Sequence, residues 1–191
     1  MRLHLLGKTS PRWVEVVLAD FDAFLLDHAA AERKASAVAL SLISHYPDRK
    51  ALVSAMMDLA REELEHFCQV YRYIEGRGLI LTPDQKDLYV GALRAEIRRG
   101  PEDYFLDRLL VSGLVEARGC ERFGMIADSV ADPELAEFYH QITLSEARHA
   151  ELFIELAESY FPHERIVSRL NELSIAEARI VDGLVIRAAL H

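Results

Sequence analysis

Apolar residues recur at three- and four-residue spacing through most of the chain, and the pattern breaks only at short polar or Pro/Gly-containing stretches. Between Trp13 and Tyr46, the positions Val17, Phe21, Phe24, Leu25, His28, Ala31, Ala35, Val38 and Leu42 follow a helical stripe. Ser10-Pro11 opens this segment, with proline at a favoured early position. His45-Tyr46-Pro47-Asp48 breaks it. A second helix is predicted from about Asp48 to Glu75, stopped by Gly76-Arg77-Gly78. Thr82-Pro83-Asp84 starts a third, shorter one that ends near Arg99-Gly100. Pro101 begins a fourth, to about Ser129, and Asp132-Pro133-Glu134 a fifth, to about Tyr160. Beyond Phe161-Pro162-His163 a last helix runs roughly from Glu164 to Ala189. No strand pattern exceeds a few residues and no interdomain linker is visible. The 191 residues are long enough for one all-α domain with a real core.

Acidic residues on the apolar stripes change this picture. Glu32 lies among Ala29, Ala30, Ala31 and Ala35, and Glu116 follows Leu114 and Val115. A carboxylate on such a face is an unpaired buried charge unless a cation meets it. About 31 residues after Glu32 come Glu63 and His66, and 30 after Glu116 come Glu146 and His149. Each half is therefore a Glu followed by a Glu-x-x-His. That is the ligand set of a carboxylate-bridged di-iron or di-manganese site in a ferritin-like four-helix bundle. The heights agree. Glu32 lies 15 residues before Pro47 and Glu63 16 after it, so both sit ~22–24 Å from that turn. Glu116 lies 17 before Pro133 and Glu146 13 after. Gly76 to Gly100 can serve as the long crossover, and the segment after Tyr160 as an additional C-terminal helix. The offset of 83 or 84 residues between the halves suggests a duplication, although they are not obviously similar outside the ligands.

A third Glu-x-x-His, Glu137 with His140, lies nine residues before Glu146. Nine residues is two and a half turns, so the pair faces away from Glu146 and His149, and both are read as polar residues on the surface. Glu62 and Glu65 point away from the ligand direction and are read as exposed. Cys68 and Cys120 are read as small core residues in a reduced protein, too few for an iron–sulfur cluster. Tyr71, Tyr104 and Tyr139 are read as packing residues.

Carboxylate oxygens with one imidazole per metal suit Fe(II) or Mn(II) and leave room for O₂. These ligands alone do not select among hydroxylation, desaturation, iron storage and peroxide removal. A net charge of −9 argues against binding nucleic acid by bulk charge, though two divalent ions would offset four of the negative charges. The longest apolar run, Ala35 to Ile43, is too short to span a bilayer. Residues 1–11 show neither a sustained apolar core nor a cleavage site, so a cytoplasmic protein without stable membrane association is expected.

The residues around the ligands carry more. His28-Ala-Ala-Ala-Glu32-Arg-Lys-Ala-Ser36, Ala60-Arg-Glu-Glu63-Leu-Glu-His66-Phe67, Val115-Glu116-Ala-Arg-Gly-Cys120-Glu-Arg-Phe123 and Ser145-Glu146-Ala-Arg-His149 together resemble MiaE, the bacterial tRNA-(2-methylthio-N6-isopentenyladenosine 37) hydroxylases. Leu5-Leu6-Gly-Lys-Thr9 and Arg98-Arg99-Gly-Pro101-Glu102 extend the resemblance over almost the whole chain. It implies a single ferritin-like di-iron domain over residues 1–191. Two irons would be held by Glu32, Glu63, His66, Glu116, Glu146 and His149, with O₂ as co-substrate. No flavin or nicotinamide fingerprint is present, so an external reductase is expected to supply electrons. The tRNA substrate requires local basic residues in an acidic chain. Arg94, Arg98 and Arg99 are the expected phosphate contacts, with Lys86, Arg33, Lys34, Arg118 and Arg122 as further candidates; the alternative for Arg33, Arg118 and Arg122 is a place near the site mouth or an ion pair with Glu. The competing readings are a quinone monooxygenase at a membrane surface, using an amphipathic last helix, and a non-enzymatic ferritin-like metal store.

Overall fold

The computed structural model describes residues 3–191, which among themselves form seven helices and no strand. These are α1 (Pro11–Ala19), α2 (Phe21–His45), α3 (Lys50–Gly76), α4 (Leu88–Ala95), α5 (Pro101–Ala127), α6 (Pro133–Tyr160) and α7 (His163–Gly183). The all-α expectation holds. The chain divides into two compact units. One contains residues 15–85 and 187–190; the other contains the stretch up to Val14, residues 86–186 and His191.

The first unit is the α2–α3 hairpin. Tyr46-Pro47-Asp48 turns the chain, with the Tyr46 N–H donating to the Leu42 carbonyl at 3.0 Å and the Arg49 N–H to Tyr46 at 3.2 Å. Phe24, Leu25, Leu42, Leu52, Met56, Val70 and Ile74 are fully buried along its facing stripes. Removing each such side chain from water contributes ~1.5–3 kcal/mol. Ser36 ties the helices together by donating its hydroxyl to the Ala60 carbonyl at 2.8 Å.

In the second unit α5 pairs with α6, and α4 and α7 pack with α5. Asp132 caps α6, accepting from the N–H groups of Glu134 and Leu135, and Pro133 occupies the first turn. Phe105, Leu109, Leu114, Phe123, Tyr139, Phe153 and Ile154 fill the core, and Phe123 stacks on Tyr139 at 5.8 Å.

Three predicted boundaries differ. The segment from Trp13 to Tyr46 is two helices, because Asp20 leaves helical geometry (φ −139°, ψ 64°) and its carboxylate caps the Ala23 N–H at 3.3 Å. The third helix is only eight residues long, starting where Asp87 caps the Val90 N–H at 2.8 Å. Thr82-Pro83-Asp84 is non-helical because the Asp84 side chain is engaged by Arg33 at 2.5 Å rather than by the chain ahead of it. The last helix ends at Gly183, where Leu184 turns extended, and the Leu190 N–H then donates to Asp27 at 2.7 Å.

Candidate metal centre

In the α2–α3 unit the hairpin does what the heights predict. Glu32 on α2 and Glu63 and His66 on α3 are buried, with 3%, 0% and 6% exposure. Their donor atoms lie within 4.8 Å of one another. His66 Nδ1 is 3.4 Å from the Glu63 carboxylate and 3.8 Å from that of Glu32. One turn before Glu32, the buried His28 places Nε2 2.6 Å from Glu32 Oε1. Burial alone would raise the Glu32 carboxyl, but hydrogen bonds from His28 and His66 and the charge of His28 hold it well below the usual carboxylate range. Burial works against the charged form of His66 too, yet its hydrogen bonds to Glu32 and Glu63 push it up to about 10. In the metal-free protein a proton on His66 therefore does part of the neutralising that a cation would do.

The α5–α6 unit carries the second triad. Glu116 on α5 and Glu146 and His149 on α6 are 9%, 3% and 3% exposed, and their donor atoms also lie within 4.8 Å of one another. His149 Nδ1 is 3.7 Å from the Glu146 carboxylate, and Ser145 Oγ is 3.4 Å from His149 Nε2. Gly119 lies about one turn past Glu116. A Cβ there would stand 3.6 Å from Glu146 Oε2 and 3.7 Å from the Phe123 ring, in ordinary contact with both, so the helix backbone passes close beside the carboxylate. Each triad thus offers buried carboxylate oxygens and one imidazole nitrogen. That donor set fits a divalent iron or manganese ion and would be costly to bury without one.

The remaining sequence candidates fall elsewhere. Glu137, His140 and Glu65 are exposed, and Glu62 is partly so. Both cysteines are free and half-buried, and Cys120 donates to the Thr143 carbonyl at 3.4 Å. Tyr139 is in the core, Tyr104 is half-buried and Tyr71 is 38% exposed. Arg98 is committed within its own unit. Its guanidinium and backbone N–H hold Asp107 at 2.7–3.0 Å, and it also reaches Asp103 at 3.0 Å. Arg94 and Arg99 are exposed.

Sequence reasoning missed two features. One is His28, visible only as a stripe position although it stands four residues before Glu32. The other is the extent of the network around Arg118: of the two roles the sequence offered it, phosphate contact or ion pair with Glu, the structure shows the ion pair, because this arginine, two residues past Glu116, is fully buried against carboxylates and closed to a phosphate. It grips Glu177 of α7 through two hydrogen bonds of 2.8 and 3.0 Å, pairs with Glu121, and donates to Thr9 Oγ1 at 3.2 Å and the Gly7 carbonyl at 2.9 Å. Tyr89 of α4 donates to the same Glu177 at 3.0 Å, and Thr9 donates to Glu121 at 2.6 Å. Arg122 stacks over Trp13 at 5.1 Å. Glu121 is a local i,i+3 partner, but Glu177, Thr9 and Gly7 lie 59 to 111 residues from Arg118, too far for any local pattern to reveal.

A family model described as tRNA-(MS2IO6A)-hydroxylase (MiaE) matches residues 2–191. The chain belongs to the MiaE family. A curated MiaE relative from Pseudomonas putida, tRNA 2-(methylsulfanyl)-N(6)-isopentenyladenosine(37) hydroxylase, is 38% identical over 175 residues, covering 92% of this chain and 85% of its own. The Salmonella typhimurium protein of the same name is 30% identical over 135 residues, covering 71% of this chain and 49% of its own. Among solved structures, a Synechococcus protein titled as having aldehyde deformylating oxygenase activity matches with a TM-score of 0.93. It is 40% identical and covers 98% of this chain and 94% of its own. The ferritin-like class read from the ligand spacing is the class of this fold. MiaE relatives are enzymes, tRNA hydroxylases, and the two Glu/His triads fit the di-iron centre of such a fold. Among the described residues no helix is long and apolar enough to cross a membrane.

Proposed function

We propose that this MiaE-family chain hydroxylates the isopentenyl group of 2-methylthio-N6-isopentenyladenosine at position 37 of tRNA, in the cytoplasm. The observation that carries the reading is the pair of buried triads in a chain whose curated relatives are named for this reaction. Glu32, Glu63, His66, Glu116, Glu146 and His149 would hold two irons within one di-iron domain spanning residues 1–191. Bound there, the irons would supply O₂ chemistry, with two electrons coming from an external reductase. One oxygen atom goes to the substrate carbon and the other leaves as water, consuming those electrons and two protons.

The chain's own part is to make that site. His28 orients Glu32 and keeps it anionic, and the low exposure of all six side chains keeps bulk water away. For tRNA binding we assign phosphate contacts to Arg94 and Arg99, with Arg98 bracing the chain between them and α5 through Asp107. Reversing the charge of Arg94 and Arg99 is expected to weaken tRNA binding and to reduce its salt slope by ~1 per residue, read from titrations at several salt concentrations.

The deciding experiment is a single turnover. The protein is loaded with Fe(II), chemically reduced, and given O₂ with tRNA bearing the isopentenylated adenosine; digested nucleosides are then weighed by mass spectrometry. A gain of one oxygen atom that disappears in Glu116→Ala, together with loss of bound iron, is the expected result. The Synechococcus structure supports one second reading, in which an aldehyde is the substrate. Parallel turnovers with such an aldehyde distinguish the two. Aldehyde consumption without nucleoside oxidation would overturn the tRNA reading.

A further inference from the structure

A cleft of about 380 Å³ opens in the α2–α3 unit, lined by Leu26, Ala30, Arg33, Phe67, Leu81 and Pro83 among others. On α2 its residues lie roughly 100–160° around the helix from Glu32, so it occupies a different face from the metal triad. Two of its walls, Arg33 and Phe67, immediately follow the triad residues Glu32 and His66. Its volume is at the small end for ligand sites, which run from ~300 Å³ upward. That suits a group the size of one base better than a long chain.

Three features surround the opening. Phe67 stacks on Tyr71 with centroids 6.3 Å apart and planes at 25°, and Tyr71 is 38% exposed. The non-helical strap after α3 presents Ile80 and Leu81, 82% and 42% exposed. Cations gather on the same strap. Arg33 reaches Asp84 at 2.5 Å, Lys34 reaches the Gln85 carbonyl at 3.4 Å, and Arg187 donates to Gln85 Oε1 at 3.3 Å. Two cations, Arg33 and Lys34, share the Asp84 carboxylate there, and Arg187 stands beside them on Gln85, in a chain whose net charge is −9. The Arg33–Asp84 pair is 49% and 40% exposed, and an ion pair so exposed holds its partners weakly. Aromatic faces and an arginine plane beside backbone-binding cations are how proteins take single-stranded RNA bases.

Building on the tRNA reading above, we propose that this cleft receives an unpaired base of the substrate's loop. The base lies against Phe67, Tyr71 and Leu81, and Arg33 exchanges Asp84 for the adjoining phosphate. The cleft is thus a second recognition site, separate from the metal triads.

The exchange makes a test in which two variants of one ion pair move in opposite directions. The probe is a synthetic anticodon stem-loop RNA carrying 2-methylthio-N6-isopentenyladenosine, titrated by fluorescence anisotropy into the iron-loaded full chain. Arg33→Ala should weaken binding at least about fivefold and lower the salt slope by ~1. Asp84→Asn, which releases the guanidinium, should tighten it. Tyr71→Ala should weaken it at least about fivefold. Iron content and melting temperature of each variant report whether the fold is intact. If Arg33→Ala and Asp84→Asn shift binding in the same direction, or neither shifts it, the pair only fastens the strap and the proposal falls. It falls equally if an aldehyde, and not the RNA, protects Tyr71 from chemical modification. A wild-type chain that hydroxylates the stem-loop while all three variants bind it normally removes the cleft alone. One that neither binds nor hydroxylates it removes the tRNA reading as well.

Discussion

At Glu32 two effects of opposite sign meet. Burial favours the neutral acid, and the hydrogen bonds of His28 and His66 favour the carboxylate strongly enough to win. In the proposed di-iron site His28 would support a metal ligand, and such supports typically matter 10–100-fold in metal affinity. His28→Ala is expected to weaken Fe(II) binding by about that factor in chelator competition, with His28→Gln recovering part of it. Arg118 presents the same physics without a metal. Replacing it with Met leaves the buried Glu177 charge without its guanidinium and should cost ~3–5 kcal/mol in denaturant unfolding. Adding Glu177→Leu removes that stranded charge, so the double variant should be more stable than Arg118→Met alone. A double variant no better than the single would assign the loss to Thr9, Gly7 and Glu121 instead.

Among the helices, the long regular ones could be read from the chain and the short irregular ones could not. Both α5 and α6 begin at prolines that the sequence marks, and the structure starts them there. At Thr82-Pro83-Asp84 the same start signal misled, because a capping side chain can equally be claimed by a partner 51 residues away, here Arg33. Asp20 was hidden inside an unbroken apolar stripe. Its Ala23 cap is local, and Asp20→Ala should cost ~1 kcal/mol of thermal stability. The Asp107 cluster joins α5, α7 and the loop before α5. Burial would raise this carboxyl, but Arg98 and Arg169 hold it below its ordinary 3.8. A carboxyl lowered on folding stabilises the fold above its unfolded value, and that contribution disappears as pH falls through the folded one. The wild-type acid-unfolding curve below about pH 4 should therefore be steeper than that of Asp107→Asn, as followed by circular dichroism.

Across the whole molecule, the six triad residues were legible because helical periodicity converts sequence spacing into height and direction. Their local environment was not, because it depends on residues brought together from distant segments. Each triad buries two carboxylates, which is costly without a cation, and a ligand that binds only the folded state adds stability by mass action. Adding Fe(II) or Mn(II) should raise the melting temperature, and chelation should lower it reversibly; no shift would mean the triads hold no divalent ion. The knot around Arg118 has a further consequence for anyone surveying variants at large. Thr9, Tyr89, Glu121 and Glu177 share one buried guanidinium that sits two positions along α5 from Glu116. Damage at any of the four would surface as lost hydroxylation and be mistaken for damage to the chemistry. Its signature would be a common melting defect and non-additive losses in combination, marking the four as one cooperative unit.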